Sequence, residues 1–150
     1  GDDTYMRVRS TGRIHGVHAQ SAPYPLFPTD MQPQLLCASC FSDGVSVIRE
    51  TVFESRFAHV KEMQKLGAKI NVCGDTATIF GCEKSDSPYL IKGGSVVASD
   101  LRAGAALCIA ALKIKGESKV YGVEFIDRGY ERIEDLFCSL GGYVLRTKDR

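Results

Sequence analysis

The strongest constraint on what this chain can become is that it writes one pattern twice. Thr29-Asp30-Met31-Gln32 is answered by Ser99-Asp100-Leu101-Arg102, and Gly44 before a strand-like run is answered by Gly116 before another. Leu66-Gly67-Ala68-Lys69-Ile70 is answered by Leu140-Gly141-Gly142-Tyr143-Val144. The offsets are 70, 72 and 74 residues, so the landmarks keep order and drift only by small insertions. A period this long is no solenoid repeat. Each copy, roughly 16–82 and 96–146, reads as a whole strand–helix–strand–helix–strand unit. Two such units packing their helices together inside their sheets make one α/β domain with quasi-symmetry, its "TD" and "SD" corners at comparable helix starts.

Local signals fill in the elements. Short strands are predicted at 5–9 and 16–20, then a segment stiffened by Pro23, Pro25 and Pro28 leads to a helix over 30–42. "VSVIRE" at 45–50 is β-branched and alternating, hence a strand. "FAHVKEMQKL" at 57–66 is an amphipathic helix with Gly67 as its stop. The runs on either side of Gly74-Asp75 predict a hairpin. A looser region, 83–95, precedes a strand at 96–98, an Ala/Leu-rich helix at 99–114, a strand at 118–125, a helix at 128–140 and a strand at 143–147.

Length and charge bound the function. A chain of 150 residues can bury one sizeable core, and a net charge of +1 gives no reason to expect nucleic acid or an anionic membrane as partner. No apolar run approaches the ~18 residues that span a bilayer, and the first residues are no signal peptide. Gly1 suggests a processed terminus or an expression scar, with the natural chain beginning elsewhere. The six cysteines lie mostly among apolar neighbours and read as free thiols in a reducing cytoplasm. Cys37-x-x-Cys40 on an apolar helix is a pair of buried thiols rather than a zinc site. His15, His18 and His59 read as ordinary surface histidines. The residues call for neither metal nor cofactor.

Two kinds of residue carry chemistry. Asp30 stands within about a turn of a helix N-terminus, where backbone N–H groups and the macrodipole favour negative charge. Thr29 and Gln32 match a capping box, although Pro33 allows the regular helix to begin there instead. Alone, Asp30 and its counterpart Asp100 are ordinary first-turn carboxylates. Arg56, Arg102 and Arg128 all fall at strand–helix corners, where guanidinium groups suit bidentate binding of phosphate or carboxylate. Surface salt bridges, such as Arg128 with Asp127 or Glu131, are the plainer reading of each; three at equivalent corners predict an anion-binding face.

The stretches "PYPLFPTDMQ", "ETVFESRFAHVKEMQKLGAKI", "SDLRAGAAL" and "FIDRGYERIEDLFCSLGGYV" together resemble the C-terminal part of the UDP-N-acetylglucosamine 1-carboxyvinyltransferases, a family of enolpyruvyl transferases, from about Ala22 to Arg146. The resemblance implies an inside-out α/β barrel of repeated βαβαββ units. Residues 1–150 would then be a partial domain holding about two of three units, with the partner domain absent. It implies transfer of the enolpyruvyl group of phosphoenolpyruvate to the 3-hydroxyl of UDP-N-acetylglucosamine, the first committed step of peptidoglycan synthesis. Asp30 would contact and deprotonate that hydroxyl, the Val52 backbone would help hold the sugar nucleotide, and Arg128 would close on the phosphoenolpyruvate or phosphate anion. Arg56, Asp100 and Arg102 would line the cleft. The chain departs from the family at Ser55 (usually Asn), Phe125 (often His), Leu26 (usually Gly) and Pro33 (usually Ala). The family's mobile loop, its phosphoenolpyruvate-binding lysine and its uridine pocket lie upstream, so the isolated 150 residues are expected to be inactive. An uncovered apolar face and open sheet edges would favour self-association. The alternative is a non-catalytic sugar-nucleotide-binding module or degenerate paralogue.

Overall fold

The computed structural model describes residues 12–82 and 91–148, together with Arg7 and Arg9; of the strand expected at 5–9, residues 5, 6 and 8 therefore lie outside the described residues. The first half runs β1 (His18–Gln20), a 3₁₀ turn (Thr29–Met31), α1 (Gln32–Ser39), β2 (Val45–Arg49), α2 (Ala58–Lys65), β3 (Lys69–Cys73) and β4 (Thr76–Phe80). The second half runs β5 (Ser95–Val97), α3 (Leu101–Lys113), β6 (Lys119–Tyr121), α4 (Val123–Ile126) and α5 (Ile133–Ser139).

In the first half β1 and β2 pair in parallel, with Gln20 opposite Arg49, and the β3–β4 hairpin adds antiparallel to β2. In the second half β5 and β6 also pair in parallel, Ser95 opposite Lys119. Each parallel pair is joined through a helix, as a parallel connection requires. The two sheets stay separate, with strand orders β1-β2-β4-β3 and β5-β6.

One apolar cluster joins the halves. Leu36, Cys37, Ile48, Met63 and Ile79 from the first half meet Val96, Ala106, Leu107, Ala110 and Ile114 from the second. Helices α1 and α3 pack directly on each other. Small residues on α3 permit close approach: Ala103, Gly104, Ala105, Ala106 and Ala110 are all buried. A Cβ on Gly104 would lie 2.5 Å from Ile126 Cγ1 and 3.0 Å from the Ala98 Cβ. Alanine normally gains about 1 kcal/mol over glycine inside a helix, but overpacking costs about 1–3 kcal/mol. Gly104→Ala is thus expected to destabilise the fold by up to about 2 kcal/mol. A urea midpoint that rises instead would show that α4 can move away freely.

Several local expectations are corrected. The strand predicted over 118–125 ends at Tyr121, because Gly122 takes φ 78° and turns the chain into α4. The predicted strand at 143–147 is irregular and pairs with no strand among the described residues. His59 is not on the surface but 1% exposed, its Nε2 without a hydrogen-bond partner. Cys37 and Cys40 are buried in the core, and none of the six cysteines is in a disulfide. Burial raises the Cys37 thiol well above its usual range and pushes Cys40 up to about 12. Apolar side chains remain exposed on Ile109, Leu112, Leu136, Leu140, Tyr143 and Leu145.

Candidate functional site

The proline-rich segment is held at both ends. Ser21 N donates to the Arg49 carbonyl at 2.9 Å, and Ala22 N to the Phe27 carbonyl at 2.9 Å, closing the loop on itself. Pro28 is extended, and its carbonyl accepts from Met31 N at 3.0 Å, so Asp30 sits in a tight turn just before α1. Pro33 falls in the first turn of α1, where a missing N–H is tolerated. The capping box does not form. Thr29 Oγ1 donates instead to Glu50 Oε2 at 2.9 Å, a long-range partner outcompeting the local one.

Three segments meet at Asp30. Its Oδ1 accepts from Arg56 Nη2 at 2.7 Å, and its Oδ2 accepts from Arg102 Nη2 at 2.9 Å. Arg56 comes from the loop before α2 and lies 5.2 Å from the centre of the Phe53 ring. Arg102 comes from the first turn of α3 and also donates from Nη1 to the Tyr130 hydroxyl at 3.2 Å. Its unfavourable place against the helix dipole is thereby explained: the side chain reaches away to a carboxylate in the other half. The Asp30 side chain is 52% exposed, while those of Arg56 and Arg102 are 19% and 33% exposed, so the cluster faces solvent from a firm base. Partial burial works to raise the Asp30 carboxyl, but the hydrogen bonds and charges of Arg102 and Arg56 outweigh it and hold it below the ordinary aspartate range.

Asp100 is the N-cap of α3, its Oδ1 accepting from Arg102 N and Ala103 N, each at 2.9 Å. It thus fixes the backbone of the residue that carries the second arginine. Val52 is exposed, but its N–H turns inward to Glu50 Oε1 at 2.9 Å. Ser55 takes φ 60°, a left-handed conformation that asparagine adopts more readily than serine.

The family model for EPSP synthase (3-phosphoshikimate 1-carboxyvinyltransferase) matches residues 1–137. The chain belongs to this enolpyruvyl transferase family. A UDP-N-acetylglucosamine 1-carboxyvinyltransferase from Anaeromyxobacter sp. (strain Fw109-5) is 47% identical over 146 residues, covering 97% of this chain and 33% of the relative. Its counterpart from Paramagnetospirillum magneticum is 46% identical over 145 residues, covering 96% and 32%. The chain therefore spans about a third of the length of the curated relatives it matches. Among solved structures, the enolpyruvyl transferase NikO from Streptomyces tendae is similar with a TM-score of 0.76 and 28% identity, over 89% of this chain and 29% of that one. EPSP synthase from Acinetobacter baumannii shares the fold at a TM-score of 0.57 and 17% identity, over 79% of this chain and 26% of that one.

Of the family positions singled out in the sequence, Asp30, Arg56 and Arg102 converge, with Asp100 immediately behind Arg102. Arg128 does not join them. It is exposed just after α4, and its side chain makes no hydrogen bond or ion pair among the described residues. Neither expected salt-bridge partner holds it, since Asp127 pairs with Arg146 at 2.7 Å. A recess of about 510 Å³ lies nearby, lined by Asp127, Tyr130, Glu131, Arg132, Glu134 and Arg146. Arg146 pairs with Asp127 and Glu134, Arg132 pairs with Asp135, and Tyr130 links the recess to the Asp30 cluster through Arg102.

Glu50 and Tyr130 were missed. The signal for Glu50 was present: it directly follows a strand that pairs in parallel, and ligands of such sheets gather at the carboxyl ends of the strands. Tyr130 carried no signal beyond its place beside Arg128.

Proposed function

We propose that this chain forms about a third of a UDP-N-acetylglucosamine 1-carboxyvinyltransferase, contributing two repeated units of one domain and the acid–base corner of its cleft. The observation that supports this best is the convergence of Asp30, Arg56 and Arg102 from three separate segments, one carboxylate held by two guanidinium groups.

In this reading Asp30 takes the proton of the sugar 3-hydroxyl. The oxygen then bonds to C2 of phosphoenolpyruvate as its C2=C3 electron pair takes up a proton at C3. Loss of a proton from C3 re-forms the double bond and breaks the bond from C2 to the phosphate oxygen, and the departing phosphate carries away the proton held by Asp30. A carboxylate paired with two arginines is a weak base. An arriving anion competes for the same guanidinium groups, and as Arg56 and Arg102 turn toward it the basicity of Asp30 recovers. The anion thus readies the base that acts beside it. Arg128, without a partner among the described residues, is free to join the anion when the rest of the enzyme closes over the corner. The Val52 N–H is committed to Glu50, so the sugar nucleotide meets that loop through its other groups. The remaining two-thirds of the enzyme covers the exposed apolar strip from Leu136 to Leu145 and supplies the loop, lysine and uridine pocket. The enzyme works in the cytoplasm, in the first committed step of cell-wall peptidoglycan synthesis.

The test is a chimera in which this chain replaces the matching third of the Anaeromyxobacter relative. It is expected to release phosphate only when both phosphoenolpyruvate and UDP-N-acetylglucosamine are present, whereas the 150-residue chain alone gives no turnover. A folded chimera that binds the sugar nucleotide without turnover would overturn the reading in favour of a binding module.

A further inference from the structure

We propose that Glu50 is a positioning residue, locking the corner that carries Asp30 onto the loop that carries Val52 and Arg56. Its catalytic consequence rests on the transferase reading above; the lock itself belongs to the fold.

The register of the sheet creates it. Gln20 lies opposite Arg49 in the parallel pair, so Ser21 and Glu50 leave their strands side by side. Glu50 is 4% exposed, and its two carboxylate oxygens serve different segments. Oε1 accepts from Ser21 Oγ at 2.6 Å, from Val52 N at 2.9 Å and from Phe53 N at 3.1 Å. Oε2 accepts from Thr29 Oγ1 at 2.9 Å, one residue before Asp30. Ser21 and Thr51 reinforce the junction, Thr51 N donating to Ser21 Oγ at 3.0 Å and Thr51 Oγ1 to the Ser21 carbonyl at 2.6 Å. The proline segment is therefore fastened at its start through Ser21 and at its end through Thr29, both to one side chain.

A buried carboxylate is a poor route to stability, since apolar residues of similar volume commonly do as well. What four converging donors add is a fixed geometry, and hydrogen bonds to a charged acceptor are the strong kind. Burial pushes the Glu50 carboxyl up, yet the bonds from Ser21, Val52, Phe53 and Thr29 outweigh it and keep it ionised. The three groups so joined are those a base and its substrate need in constant relation: the Asp30 turn, the Val52 loop and the approach to Arg56.

Thr29→Val tests this by removing only the Oε2 bond while nearly keeping the side-chain volume. In the chimera kcat is expected to fall about tenfold with KM for UDP-N-acetylglucosamine within about twofold, since small misplacements of a base are costly. Thr29→Ser, which restores the hydroxyl, is expected to recover activity to within about twofold of the parent. A second measurement does not depend on turnover. The Met31 and Gln32 amides, bonded to Pro28 and Thr29 carbonyls, are expected to exchange about tenfold faster in the Thr29→Val chain, with Ile48 and Ala77 unchanged. If the unmutated chimera does not turn over, the transferase reading fails and the exchange experiment alone decides the lock. Unchanged exchange at Met31 and Gln32, or a serine variant no better than valine, would overturn the role given to Glu50.

Discussion

Asp30→Asn is expected to lower kcat of the chimera by about 10²–10⁴-fold while leaving affinity for UDP-N-acetylglucosamine within a few-fold. The amide keeps the shape of the side chain but cannot accept the hydroxyl proton. It also pairs less strongly with Arg56 and Arg102, which leaves those guanidinium groups more available to an anion. Inhibition by phosphate is therefore expected to be no weaker in the variant, and this separates a base from a binding group. The pH profiles carry a second signature. In the free enzyme the hydrogen bonds and charges of Arg102 and Arg56, outweighing partial burial, hold Asp30 below the ordinary aspartate range. Once the anion has drawn them off, that depression is relieved. The acid limb of kcat, which reports the substrate complex, is then expected at higher pH than the limb of kcat/KM, which reports the free enzyme. Equal losses in single-turnover rate and in sugar-nucleotide dissociation constant would mean that Asp30 only binds.

The parts of this molecule that were legible in the sequence are those decided by near neighbours. The β3–β4 hairpin shows as two alternating runs around Gly74-Asp75, and α3 as an Ala/Leu face followed by Ile114. Elements decided at a distance were misread. "YVLRT" has strand composition, but a strand needs an adjacent edge, and Arg146 is instead drawn to Asp127 and Glu134. Thr29 has the local pattern of a helix cap, yet Glu50, twenty-one residues away, takes its hydroxyl. The Asp30 cluster is the extreme case. Arg56 and Arg102 are 26 and 72 residues from Asp30, so spacing alone says nothing about their meeting. Family resemblance pointed to each of the three residues, and only the fold brings their charged groups into hydrogen-bond contact.

His59 is expected to make the fold sensitive to mild acid. Burial pushes its imidazole down to about 4 from an ordinary value of 6.5. Asp100 and a hydrogen bond to the Arg56 backbone pull the other way without offsetting it, and the Arg56 charge adds to the depression. The folded chain thus keeps His59 neutral in a range where the unfolded chain protonates it. The stability it contributes is present above pH 6.5 and is lost as pH falls toward 4, a span worth about 3 kcal/mol, with about 2 kcal/mol gone by pH 5. The depressed carboxylates act lower: Glu50 and Asp30, with ordinary values of 4.5 and 3.8, lose their contributions as pH falls below those values. Urea midpoints at pH 7, 6 and 5 therefore isolate His59. His59→Gln, which cannot titrate but can still hydrogen-bond the Arg56 backbone, is expected to start less stable and to change little over that range. Parallel decline of parent and variant would place the acid sensitivity elsewhere. Because His59 lies in the first turn of α2, beneath the loop that presents Arg56, charging it would strain the support of one of the two guanidinium groups on Asp30. Acid is then expected to loosen this corner before it unfolds the chain, with Met31 exchange rising at a higher pH than the global transition.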